Sequence, residues 1–100
     1  MKNKTSSATK ILKGYIDSDP ELKAMVSEVK AHRQIALLIQ EIRNSEGLSQ
    51  EELARLTGTS QSTIARLENE EYSGHTLTML SRILGSMNRD LQITAIRKVS

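Results

Sequence analysis

The chain has 100 residues, 37% of them hydrophobic, with two aromatic side chains, no cysteine, and 14 basic against 12 acidic groups for a net charge of +2. That length accommodates one small domain with appendages. The lack of cysteine excludes a disulfide framework and a thiolate metal site, and no apolar run reaches the length of a membrane span or the pattern of a signal peptide. A soluble, cytoplasmic protein with no membrane role is therefore expected. Because only Tyr15 and Tyr72 are aromatic, base stacking of the single-strand-binding kind is almost unavailable, whereas duplex reading through a groove remains open.

In chain order, Met1 to Ile16 carries Lys2, Lys4, Lys10 and Lys13 with no acid. Residues 1 to about 10 are polar and too poor in apolar side chains to offset the entropy of ordering, which predicts a mobile tail. Ile11, Leu12, Tyr15 and Ile16 have the spacing of one helical turn, and that group either docks or waits for a partner. Asp17, Ser18, Asp19 and Pro20 then signal a helix start: an oxygen-bearing cap, proline at the first helical position, and Glu21 against the positive end of the helix dipole.

From Glu21 to about Ser45 there is neither glycine nor proline. Apolar residues recur at Leu22, Met25, Val26 and Val29, and again at Ile35, Leu38, Ile39 and Ile42, which predicts one long helix or two nearly joined ones. The stripe weakens between Lys30 and Gln34, where a break is expected. The second half belongs to the core, while Leu22 to Val29 overhangs it. Gly47 supplies the left-handed residue that ends this helix, and Leu48 packs back onto it.

The run Leu48 to Asn69 reads as two short capped helices separated by a glycine turn, the layout of a helix-turn-helix. Ser49 and Glu52 form a capping box. Leu53, Ala54 and Leu56 supply the inward face of the first helix, Gly58 ends it at positive φ, and Ser60 caps the second. Ile64 and Leu67 face the core, which leaves Gln61, Ser62, Thr63 and Arg66 on the outer side of a recognition helix, aimed at base edges and phosphates. Charge complicates this assignment. Leu48 to Glu71 holds two arginines against five glutamates, a local balance of −3, so the unit needs basic groups from elsewhere or a second copy to hold a phosphate backbone.

Beyond Asn69 a loop containing Gly74 leads to Thr76, which caps a helix carrying Leu77, Leu80, Ile83, Leu84 and Met87, with Asn88 able to end it. Leu91 to Ile96 then alternates with period two and is rich in β-branched residues. A lone strand has no ladder partner in its own chain, so it is expected to pair with its copy across a two-fold axis through Leu91, Ile93 and Ala95. Such a homodimer spans two half-sites about one DNA turn apart.

These residues resemble the XRE/Cro helix-turn-helix family, and within it the HigA and HipB-type antitoxins of bacterial toxin–antitoxin pairs. The resemblance covers about Ile35 to Ile96. It rests on Arg43, the Gly47-Leu48-Ser49-Gln50 step, Glu52-Leu53-Ala54, Gly58, the helix from Ser60 to Asn69, and the closing helix and strand. It implies an all-α, five-helix-type domain over residues 35–100 with an N-terminal helical extension over residues 1–34 and one C-terminal strand. It implies phosphate contacts from Gln50 and Asn69, base reading by Gln61, Ser62 and Arg66, with Thr59, Ser60 and Thr63 at the same DNA surface, and a structural ion pair between Arg43 and Glu68. Glu70-Glu71 departs from the family pattern, in which glycine is common after Asn69.

The expectation for function is an antitoxin that represses its own operon on double-stranded operator DNA. In that reading Ile11, Leu12, Tyr15, Ile16, Leu22, Met25, Val26 and Val29 bind a cognate toxin, an mRNA-cleaving ribonuclease of the RelE/HigB type by analogy alone. The alternatives are a stand-alone repressor without a toxin, and an interaction module that no longer binds DNA. Exposed Gln, Ser and Thr are ordinarily just solvated, and tail lysines ordinarily serve solubility. The helix-turn-helix context is what gives the former a reading role. No catalytic constellation is expected, nor any cofactor or metal: His32 and His75 stand alone without a recognisable signature.

Overall fold

The computed structural model describes residues 6–97, and within them five helices: α1 (Ser6–Ser18), α2 (Pro20–Ser45), α3 (Gln50–Thr57), α4 (Gln61–Leu67) and α5 (Leu77–Ser86). The chain is all-α, as its patterning requires. Part of the tail expected over residues 1 to 10 lies outside the described residues, but Ser6 to Lys10 belong to α1, because nothing in Ser-Ser-Ala-Thr-Lys interrupts the helix nucleated by the apolar turn behind it.

Local chemistry sets each boundary. Asp19 alone separates α1 from α2, and its carboxylate accepts from the backbone N–H of Glu21 and Leu22, with Pro20 opening the helix. α2 then runs unbroken for 26 residues. The break expected between Lys30 and Gln34 is absent, since a weakened stripe without glycine or proline still forms every backbone bond and helix propensity there is good. The anticipated division between residues 34 and 35 thus falls inside one helix. Gly47 at φ 70° and Gly58 at φ 77° take the left-handed conformation that turns the chain after α2 and α3, and Asn88 does the same after α5 at φ 60°.

The core is built by Ile39 from α2, Leu53 and Ala54 from α3, Ile64 and Leu67 from α4, and Leu80, Ile83 and Leu84 from α5, with Met87 behind them. Ile39, Leu53, Ile64 and Ile83 are wholly excluded from solvent. Leu56, expected inward, is 58% exposed. Thr57 takes the inward place one residue later, its hydroxyl donating to the Leu53 carbonyl. Leu48 packs against the core as anticipated, and so does Leu91.

The strand expected over Leu91 to Ile96 does not form within the chain: residues 89–97 carry neither helix nor strand, and no strand occurs among the described residues to pair with them. Ile93 and Ile96 are left largely exposed, as is Ala95. At the other end, the N-terminal half of α2 and all of α1 project from the core. Ala36 is the first buried residue among those described, and Leu22, Met25 and Val29 face solvent together with Ile11, Leu12 and Tyr15. Ile16 and Val26 are half-buried. No described helix is long and apolar enough to cross a membrane.

Candidate nucleic-acid interface

α3 and α4 form the closest-packed helix pair of the body, joined by Gly58, Thr59 and Ser60. Ser49 accepts from the Glu52 backbone N–H at 3.0 Å while Glu52 accepts from the Ser49 backbone N–H at 2.8 Å, which completes the expected capping box. The backbone N–H of Ser49 donating to the carboxylate, and after it the Ser49 hydroxyl beside the carboxylate, hold the Glu52 carboxyl below its ordinary pKa. Ser60 caps α4 by accepting from the Thr63 backbone N–H at 3.2 Å. Its hydroxyl also meets those of Ser62 at 3.1 Å and Thr63 at 2.8 Å, so the first turn of α4 is a linked set of hydroxyls.

Beneath this surface lies a buried ion pair. Arg43 from α2 donates through Nε and Nη2 to the two carboxylate oxygens of Glu68, at 2.6 and 2.9 Å, and through Nη1 to the Leu48 carbonyl at 2.8 Å. Glu68 is only 4% exposed, and its own carbonyl accepts from Gln40 at 2.6 Å. The bond to Glu68 raises the Arg43 pKa above its already high value, so the guanidinium stays charged. The bidentate geometry and the complete set of partners are what make this burial tolerable.

The ion pair also orients the outer surface. Gln50, the first residue of α3, donates its Nε2 to Glu68 Oε1 at 3.0 Å. A carboxylate can only accept, so this contact fixes the Gln50 amide with its oxygen outward. That oxygen in turn accepts from Gln61 Nε2 at 2.7 Å. Gln61, the first residue of α4, is therefore held by its amide nitrogen on an exposed face, with Oε1 and the second amide hydrogen making no hydrogen bond among the described residues. An acceptor beside a donor is the pattern that matches the major-groove edge of adenine.

Of the residues expected at a DNA surface, Gln50 is hydrogen-bonded to Gln61, and Ser60 separately to Ser62 and Thr63. Thr59 is half-buried in the turn, its backbone N–H donating to Ala54. Arg66 is exposed and makes no ion pair among the described residues. Asn69 folds back on itself, its side-chain oxygen accepting from the Glu71 backbone N–H at 2.9 Å. The local −3 charge is partly offset from outside the segment, because α2 brings Arg43 to Glu68 and Arg33 to Glu70 at 2.9 Å. Sequence reading missed Gln40, the Gln50–Glu68 link and the Arg33–Glu70 pair, each of which joins residues too far apart in the chain for any periodicity to reveal.

His32 and His75 also come together, 43 positions apart in the chain, with Nδ1 atoms at 2.9 Å. Among the described residues no group of three or more His, Cys, Asp or Glu is placed to hold a metal ion.

Two short helices packed around a glycine turn, with a polar outer face on the second and a buried ion pair clamping them to α2, are the helix-turn-helix architecture of a sequence-specific DNA-binding transcription regulator. A family model described as Helix-turn-helix matches residues 39–92, more than half of the chain, and the chain belongs to that family, in its XRE-type form. The match covers the body and leaves α1 and the first part of α2 outside it. A comparison with curated proteins found no match.

Proposed function

We propose that the body reads an operator in duplex DNA with Gln61, Ser62 and Arg66, anchored on phosphates by Gln50 and Asn69, with Thr59, Ser60 and Thr63 shaping the same surface. The observation that carries this reading is the chain of contacts from Arg43 through Glu68 and Gln50 to Gln61, which presets one amide on the exposed side of α4. A preset donor and acceptor need not lose conformational freedom on binding, and a good bidentate base contact discriminates by roughly 1 to 3 kcal/mol. Gel-shift titration of the promoter of its own gene tests it. Gln61→Ala is expected to lose discrimination at one base position, and unchanged affinity and sequence preference would refute the role.

The finer reading is that of an antitoxin, in which the arm formed by α1 and the first half of α2 captures a toxin while the body represses the operon. Support comes from the solvent-facing apolar side chains Ile11, Leu12, Tyr15, Leu22, Met25 and Val29, with half-buried Ile16 and Val26 between them, on a helical segment outside the DNA-binding match. Helices of α1's length are marginal in isolation, and an exposed apolar stripe is stabilised when a partner covers it. Homodimerisation through Leu91, Ile93 and Ala95 is supported by exposed Ile93 and Ala95 and by backbone groups of residues 91–96 that no strand satisfies within the chain. Co-purification with the product of the neighbouring gene, compared between parent and the Met25→Asp/Val29→Asp variant, tests the arm: capture by the parent and loss in the variant are expected. Absence of any partner leaves the body as a stand-alone repressor.

A further inference from the structure

A contact between titratable side chains that DNA binding does not use is the histidine pair. His32 stands on α2 where the helix leaves the body, and with its neighbour Arg33 it is the most N-terminal α2 side chain to make a polar contact there. His75 stands on the loop after α4, and its Nε2 lies 2.7 Å from the carbonyl oxygen of Leu67, the last residue of the recognition helix. A carbonyl can only accept, so His75 carries its hydrogen on Nε2. In the neutral ring Nδ1 is then the bare nitrogen, and the 2.9 Å contact requires His32 to donate from its own Nδ1.

The ring arrangement supports such a bond. The planes differ by 19° and the centroids lie 5.2 Å apart, which is the Nδ1–Nδ1 separation plus about one ring radius at each end. The rings therefore meet head-on in nearly one plane, and the hydrogen between them lies on the line joining the two nitrogens. A metal ion would need the nitrogens farther apart along that line, at about 2 Å from each. Tyr72 packs edge-on against His75 at 5.0 Å, in the space that Gly74 leaves by having no Cβ.

We propose that His32 and His75 form a single-proton latch that ties the base of the N-terminal arm to the end of the recognition helix and opens on acidification. One hydrogen fits between the two Nδ1 atoms. The neutral pair holds it, and the pair with one added proton holds it more strongly, since the bond becomes charge-assisted. A second proton places N–H against N–H and two cations side by side, and the contact breaks. The closed latch thus disfavours the second proton, so its contribution is present at higher pH and lost as pH falls through the lower of the two steps. The charged residues on the elements that carry the pair are Glu28 one turn earlier on α2, Arg33 paired with Glu70, Glu71 on the loop, and Glu68 held by Arg43 after α4, while Tyr72 lies against His75 and α5, capped by Thr76, opens with the uncharged Leu77, Thr78 and Met79.

Nuclear magnetic resonance of the intact chain, following both imidazoles and the Tyr72 and Gly74 signals through acidification, tests the latch. The expected result is that the second proton enters the pair in a separate, more acidic step than the first. His75 should be in the Nε2–H form at the alkaline end, and the Tyr72 and Gly74 signals should move with the lower step. In His32→Gln the amide can present a donor to neutral His75 or its oxygen to the protonated ring, so the loop signals should stay in place over the same range. Two histidines titrating together at one midpoint, a His75 proton on Nδ1 at the alkaline end, or loop shifts that persist in His32→Gln would overturn the latch.

Discussion

The body and the arm of this molecule are made from the same kinds of residue and differ in what covers them. Ile39, Leu53, Ile64 and Ile83 are fully enclosed by four helices, whereas Ile11, Leu12, Met25 and Val29, equally apolar and equally well spaced, are mostly exposed. A helical stripe identifies a face that should be buried, but not what buries it. In the body that cover is the rest of the chain; in the arm α1 and α2 cover only Ile16 and Val26, and those by half, and leave the other apolar side chains to solvent.

The contrast is broken most easily at the buried ion pair. Arg43→Ala or Glu68→Ala leaves one charge uncompensated and is expected to cost about 3 to 5 kcal/mol in urea unfolding. Gln50 and Gln61 should lose their preset geometry as well. Ile64→Ala removes side-chain volume where nothing can collapse into it, with an expected loss of about 2 to 5 kcal/mol. Met25→Ala, of similar apolar loss on paper, should stay within about 0.5 kcal/mol. A large destabilisation from Met25→Ala would show that the arm packs on the body after all.

A smaller effect belongs to the capping box. The Glu52 carboxyl is held below its ordinary pKa by Ser49, so its contribution is present above the unfolded value, near pH 4.3, and fades as pH falls through the lower folded one. The difference in melting temperature between parent and Glu52→Gln should be seen at neutral pH and should shrink towards zero on acidification past that range. A difference independent of pH would refute the charged cap.

Which parts of this could be read in advance follows from the range over which each signal acts. Caps and turn glycines are local, and Ser49, Ser60, Thr76, Gly47 and Gly58 all act as their neighbours in sequence require. The inward residues of α4 follow from helical period, as do Leu80, Ile83 and Leu84 of α5, whereas Leu77, one turn earlier in the same stripe, is exposed. At Leu56 and Thr57 the same rule misplaced one residue, because apolarity alone did not reveal that a threonine hydroxyl can satisfy itself on the preceding turn and be buried. The weakened stripe at Lys30 to Gln34 suggested a hinge, yet a pattern of burial reports contacts and not continuity of the backbone. The Gln50–Glu68, Arg33–Glu70 and His32–His75 contacts join elements far apart in sequence. Only the packing of α2 against the loop after α4 reveals them.

The central claim is a division of labour, with DNA read by α4 and the arm reserved for another partner. Fluorescence-anisotropy titrations of the promoter duplex with the parent, Arg66→Ala and Met25→Asp/Val29→Asp, run side by side at one salt concentration, test it most directly. Arg66→Ala is expected to weaken binding about tenfold or more, in line with roughly 1 to 3 kcal/mol for a base contact, while the arm variant binds as the parent does. Parent-like binding by Arg66→Ala, or an equal loss in the arm variant, would contradict it.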